Sequence, residues 1–299
     1  MDLTGILINK RYRLLDRVHS EPSGDVYSGF DDHENIPVSV KVLDRTLMHR
    51  LGFDYIRFEK DMGILSGIRH EGIVRVLDHG MFENPLFPQG VFIVTEPLQF
   101  RTVEHMIAGN KAPGLETAVS IIERICAALE STHEQGIIHG DINPGNIIIA
   151  DNPSRVKLCN FGLVELTRGS DAQIRKGIVF MAPEQSGTIQ GPVDERTDLY
   201  SLGVLLYSIL TGDLPFKGDS LVTLLHKQSA KLPDPPSQRA AGIHPVLDSI
   251  VLKLLEKDPA NRYQSAAGLR TDLNRFLDGD YGFTPGEHYN APGKLDHIN

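Results

Sequence analysis

The segment His139-Gly140-Asp141-Ile142-Asn143-Pro144-Gly145-Asn146 holds the densest chemistry in this chain of 299 residues. An aspartate followed five residues later by an asparagine, on a loop that enters a strand, offers one carboxylate and one amide oxygen. The carboxylate can orient a hydroxyl nucleophile and the amide can face a magnesium ion, the division of labour that phosphoryl transfer requires. The competing reading of the segment alone is an Asp/Asn-rich turn. Other chemistries find little support. The 12 histidines fall without a His-Glu-x-x-His or Cys/His spacing, so no zinc site is expected. The 2 cysteines, Cys126 and Cys159, form neither a Cys-x-x-Cys pair nor a disulfide framework and read as small buried residues of a reducing compartment.

Two kinds of sequence flank this loop. From Tyr12 to about Thr95, short apolar runs broken by turn residues predict strands at Arg13–Val18, Val26–Phe30, Pro37–Leu43, Ile73–Asp78 and Val91–Thr95, with a hairpin turn at Asp31–Asn35. One helix is expected among them, roughly Thr46–Gly67, with Phe58, Met62, Leu65 and Ile68 on one face. After Gln99 the period becomes helical. Helices are predicted at Glu116–Gln135, Asp194–Thr211, Ser220–Ser229, Pro245–Lys257 and Ser265–Leu277, and a strand pair at Ile147–Ile149 and Val156–Leu158. The fold class is therefore α+β and bilobal. Residues 1–11 form an amino-terminal extension, 12–95 a sheet-rich lobe, 96–99 the hinge, 100–278 a helical lobe, and 279–299 a tail or linker.

Composition sets outer limits. Lysine and arginine number 30 against 39 acidic residues, and the net charge of -9 argues against general affinity for nucleic acid or anionic membranes. No apolar stretch approaches the ~18–20 residues that span a bilayer, and the start lacks a basic segment followed by an apolar core. A cytoplasmic protein is expected.

Further motifs stand in order along the chain: Val38-Ser39-Val40-Lys41, Asn160-Phe161-Gly162, Ala182-Pro183-Glu184, Asp198-Leu199-Tyr200-Ser201-Leu202-Gly203 and Arg262. With the Asp141 loop, they resemble the protein kinases of the bacterial eukaryotic-like (Hanks-type) serine/threonine class, from about Tyr12 to Leu277. The loop alone is also similar to that of aminoglycoside and choline kinases, but the helical lobe fits the protein-kinase pattern. The resemblance implies that Glu184 pairs with Arg262 and that Asp198 anchors the catalytic-loop backbone. It implies an adenine site at Val18, Val26, Ser39 and Ile148, hinge backbone groups at Glu96 and Leu98, and phosphate or catalytic roles for Gly24, Lys41, Asp141 and Asn146. Asp61 stands where a glutamate would pair with Lys41.

Departures from the family pattern gather where phosphates and metal would sit. His19 and Glu21 replace the first two loop glycines, and Asn160 replaces the metal-chelating aspartate, so that magnesium or manganese held by Asn146 and Asn160 would be weak or absent. Asn143 stands in place of a lysine beside Asp141, Ile178 in place of a threonine, and Gly140 in place of the arginine that receives an activation-loop phosphate. Phosphorylation at Thr167 or Ser170 then has no evident acceptor there, and Arg168, Arg175 and Lys176 read as a solvated basic loop.

The leading expectation is a pseudokinase that binds ATP or ADP and works through a protein partner or downstream signalling domains. The first alternative is a slow serine/threonine kinase using Lys41, Asp141 and Asn146, and the second is a phosphotransferase for a non-protein substrate. The runs Asp141-Ile142-Asn143-Pro144, Arg196 to Val204 and Asp258 to Ala266 also resemble the kinase-like domain that opens large bacterial multidomain sensor kinases.

Overall fold

The computed structural model describes residues 2–21, 23–43, 54–84, 87–98, 101–109, 113–149, 155–161, 163 and 177–287. The expectations at Gln99, Gly162, Thr167, Arg168, Ser170, Arg175 and Lys176, and for the Glu21 side chain, lie outside the described residues.

Strands β1 (Leu7–Ile8), β2 (Tyr12–Glu21), β3 (Gly24–Asp31) and β4 (Ile36–Leu43) are followed by helix α1 (Tyr55–Gly67) and strands β5 (Val76–Asn84) and β6 (Phe87–Thr95). The strands form a 6-stranded sheet in the order β1-β2-β3-β4-β6-β5. Period-two alternation explains what β4 does for the site. Val38, Val40 and Val42 pack into one cluster with Leu14, Tyr27, Phe92 and Val94, so the intervening Ser39 and Lys41 face the opposite side. Asp54 caps α1 by accepting from Arg57 N–H at 3.1 Å, and Phe58, Met62 and Leu65 make its buried face.

The second lobe contains α2 (Val103–Ala108), α3 (Leu115–His133), β7 (Ile147–Ile149), β8 (Val156–Leu158), α4 (Glu195–Thr211), α5 (Leu221–Ala230), α6 (Pro245–Leu254) and α7 (Ala266–Leu277). Every residue from Thr197 to Ile209 in α4 is buried, which is why its sequence is apolar on all sides apart from Thr197, Asp198, Ser201 and Ser208, whose polar atoms are hydrogen-bonded. Gly212 ends α4 at φ 69°, a conformation that suits a residue without Cβ. One apolar core runs from α1 and the adjoining strands through Phe161 to α3, α4 and α6.

Four of the five long strands, the β7–β8 pair and six of the seven helices follow the sequence pattern; β5 begins and ends later than the expected Ile73–Asp78, and β1 and the short α2 were not anticipated. Both ends of the described chain pack on the lobe they adjoin. Leu3 and Ile8 are buried against the sheet, and Leu3 N–H donates to the Tyr27 hydroxyl at 3.1 Å. Beyond Gly279, Tyr281 stacks on His244 with ring centroids 4.1 Å apart, and Gly286 N–H donates to Asp272 at 2.7 Å. Residues 279–287 are therefore part of the helical lobe rather than a loose end.

Candidate active site

A cleft lies between the sheet and the β7–β8 pair. Of the expected nucleotide-site residues, Val26, Ser39, Lys41, Leu98 and Ile148 line it, joined by His19, Thr95, Cys159, Asn160 and Phe161. Val18 does not, and the register of β2 shows why. Arg17 pairs with Tyr27 and His19 with Val26, so Val18 is an extra, bulged residue with 40% exposure, and His19 takes the cleft-facing position. Cys159 is half-buried at the cleft, in contrast to Cys126, whose burial pushes its thiol well above the ordinary value.

Gly24 has a packing role outside the cleft. A Cβ there would lie 2.1 Å from the Val42 carbonyl oxygen, because β3 and β4 approach closely at this point. Gly24→Ala is expected to cost about 1–3 kcal/mol in a urea unfolding titration, with the β-sheet lobe absorbing the shift; an unchanged midpoint would contradict this close approach.

One other assignment shifts. Asp61 makes its ion pair with Arg57 at 3.7 Å, one turn away on α1, and Lys41 Nζ instead donates to Asn160 Oδ1 at 3.0 Å. The pairing of Asp61 with Lys41 is not formed. At the hinge, the Glu96 carboxylate turns away from the cleft to accept from Lys157 Nζ at 2.6 Å and from Arg75 N–H at 3.0 Å. This pair fastens the crossover to β8.

The Asp141 loop is organised by amides. Asn143 Nδ2 donates to Asp141 Oδ1 at 3.0 Å and Asn146 Nδ2 donates to Asp141 Oδ2 at 2.8 Å, so each carboxylate oxygen has a fixed neighbour. Asn160 Nδ2 donates to Asn146 Oδ1 at 2.8 Å, and Asn160 Oδ1 meets Lys41. A continuous line of hydrogen bonds thus runs from the lysine to the aspartate. Asn160 sits at φ 64°, a left-handed conformation that asparagine and aspartate tolerate best among residues with side chains.

The loop rests on buried groups beneath it. Asp198 accepts from the backbone N–H groups of His139 at 2.9 Å and Gly140 at 2.8 Å, and from His133 Nε2 at 2.9 Å. Burial opposes its ionisation, but these donors outweigh burial and hold the carboxyl below its usual range. Burial also lowers the His139 imidazole, which stays neutral at pH 7. Its Nε2–H donates to the Cys159 carbonyl at 2.9 Å while Nδ1 accepts from Asp141 N–H at 3.2 Å, which fixes the tautomer. Glu184 and Arg262, both fully buried, form a bidentate pair at 2.6 and 2.8 Å.

Gly140 adopts φ 75°, and its carbonyl accepts from Gln185 Nε2 at 2.7 Å. Gln185 Oε1 accepts in turn from Ala182 N–H at 3.0 Å, so one side chain ties the Asp141 loop to the Ala182-Pro183-Glu184 turn. Gln185 was not singled out from sequence, because a glutamine carries no spacing signal. Ile178 packs with Met181, Phe216 and Leu224, in an apolar cluster of the helical lobe.

A divalent cation accompanying a triphosphate takes hard oxygen donors. Asn146 Oδ1 and Asn160 Oδ1 are donors of that type, and the Asp141 carboxylate lies one hydrogen bond from Asn146. The set suits such an ion in ligand type while supplying less negative charge than a carboxylate at position 160 would. Among the described residues there is no cluster of three or more His, Cys, Asp or Glu side chains that could hold a metal by themselves.

Residues 20–273 match the protein kinase domain family. The chain is 36% identical over 277 residues to the serine/threonine-protein kinase PknB of Mycobacterium leprae, covering 91% of this chain and 44% of that protein. It is 32% identical over 278 residues to the probable serine/threonine-protein kinase CPE1738 of Clostridium perfringens, with 91% and 39% covered. The chain thus spans less than half the length of these curated relatives. Among solved structures, a double mutant of the Mycobacterium tuberculosis PknI kinase domain matches with TM-score 0.74 and 21% identity over 93% of this chain and 100% of that one. Rad53 residues 1–466 in complex with AMP-PNP match with TM-score 0.70 and 24% identity over 90% and 65%. These two likenesses show a shared fold. With the ordered motifs, the clefted sheet and the Asp141 loop in place, this chain belongs to the protein kinase domain family and is homologous to bacterial Hanks-type serine/threonine kinases.

Proposed function

We propose that this chain is a serine/threonine protein kinase domain that binds ATP in the cleft and phosphorylates a protein hydroxyl, with a weakened hold on its divalent cation. The observation that carries this reading is the hydrogen-bonded line from Lys41 through Asn160 and Asn146 to Asp141. It joins the cleft to a carboxylate in one polar array. Family membership implies use of ATP with magnesium or manganese, and the relatives' designation as serine/threonine kinases supports the acceptor class.

In this mechanism Lys41 faces the phosphates from the floor of the cleft. Asp141, oriented by Asn143 and Asn146, accepts the proton of the attacking hydroxyl. The hydroxyl oxygen bonds to the terminal phosphorus as the bond to the bridging oxygen breaks, releasing ADP. A divalent cation held by Asn146 and Asn160 would neutralise phosphate charge. Neutral His139 positions the loop without taking the proton, since both ring nitrogens are engaged with backbone.

The test is transfer of label from γ-labelled ATP, in magnesium and in manganese, to the chain itself and to a general protein acceptor. Asp141→Asn is expected to lower the rate by about 10²-fold or more. Equal label in the wild type and Asp141→Asn under both metals would sink the reading. A second reading, a nucleotide-binding pseudokinase, is favoured by one observation, the neutral amide of Asn160 where charge is needed. It predicts nucleotide binding without transfer. No helix among the described residues is long and apolar enough to cross a membrane.

A further inference from the structure

A backbone N–H at the lip of an apolar cleft needs a partner, and Leu98 has one inside the protein. Its N–H donates to Ser39 Oγ at 3.0 Å. Strands β4 and β6 pair with Ser39 opposite Thr95, so two hydroxyls stand side by side on the cleft face. Thr95 Oγ1 donates to the Glu96 carbonyl at 3.1 Å. The hinge segment thus has a donor and an acceptor engaged by hydroxyls of the very strands that lead into the cleft. Ser39 is 4% exposed, and Val26 and Ile148, both buried, also line the cavity, so little water reaches this spot.

We propose that Ser39 sets the cleft's affinity for a purine base, by occupying in the free protein the Leu98 donor that a ring nitrogen of the base would take. This inference rests on the reading of the cleft as a nucleotide site. A base entering beside Ser39 exchanges an existing internal hydrogen bond for a new one and gains little net energy from the donor. With alanine at position 39 the free protein holds Leu98 N–H without the hydroxyl, and the base recovers a partner the free state lacks. The substitution removes one oxygen and leaves the β4–β6 backbone pairing intact.

Calorimetric titration with adenosine, without phosphate or metal, isolates this contact from the Asn160 region. Ser39→Ala is expected to bind adenosine about three- to tenfold more tightly than the wild type. Repeating the titration with 1-deaza-, 3-deaza- and 7-deazaadenosine identifies the ring nitrogen, because the gain should vanish for one analogue and persist for the others. Amide hydrogen exchange at Leu98 in the unliganded protein should be faster in Ser39→Ala. Should that variant not fold, Ser39→Cys keeps the size with a weaker acceptor and should shift affinity in the same direction. Adenosine binding that ignores the substitution overturns the inference alone. A gain of equal size for all four nucleosides also overturns it, since that would be relief of crowding. Absence of nucleoside binding in both proteins overturns the nucleotide reading with it.

Discussion

Asn160→Asp is expected to raise magnesium-dependent phosphotransfer by about 10²-fold, the size of one electrostatic stabiliser regained at a reacting centre. The backbone already suits the change, because φ 64° is a conformation aspartate adopts about as readily as asparagine. The new carboxylate would stand 3.0 Å from Lys41 Nζ and beside Asn146, adding a full negative charge to the oxygen set facing the cation. Two readouts check it. The transfer rate in magnesium should rise, and the thermal shift produced by ADP should become more strongly magnesium-dependent, since ligand binding raises stability by mass action. An unchanged rate together with an unchanged metal dependence would mean that position 160 does not limit this chain. The glycine-loop replacements at His19 and Glu21 would then be the next candidates.

The second large effect concerns stability. Glu184 and Arg262 are fully buried, and removing one partner leaves a charge in a medium that cannot solvate it. Glu184→Ala or Arg262→Ala is expected to cost about 3–5 kcal/mol, which at this size lowers the melting temperature by roughly 6–20 °C. Arg262 also donates to the carbonyls of Glu256, Arg196 and Lys257, and Thr197 Oγ1 donates to Glu184. Each truncation therefore strands several polar groups at once. The double variant Glu184→Gln with Arg262→Met should cost less than the two alanine variants summed, because it leaves no lone charge. A fall below about 1 kcal/mol for either alanine variant would show that the pair is replaceable by water.

Much of the architecture could be read before any coordinates. The alternation in Val38 to Leu43 records which side chains join the apolar cluster and which face the cleft, and the largely apolar run in α4 reflects its burial. Asp141 and Asn146 stand out by their spacing, whereas Lys41, Glu184, Asp198 and Arg262 were located through the resemblance of their motifs to those of the protein kinases. Val18 was misplaced because a bulge is a backbone event, and side-chain alternation carries no mark of where an extra residue enters a strand. Asp61 stands where the resemblance places the partner of Lys41, but Arg57, four residues away on the same helix, takes its carboxylate. The hydroxyl contacts at the hinge escaped as well. Ser39 differs from alanine by one oxygen, and its meaning depends on Leu98, 59 residues away.

The Gln185 bridge carries a consequence for how this protein can be governed in time. A carboxamide is indifferent to pH, to phosphatases and to upstream kinases, so the junction between Gly140 and Ala182 has no covalent state to be written or erased. It opens and closes with the motion of one side chain inside the folded lobe. A signal that alters this joint must therefore act through binding or through the residues around it, and the bridging side chain itself, carrying no charge to change, records nothing of it.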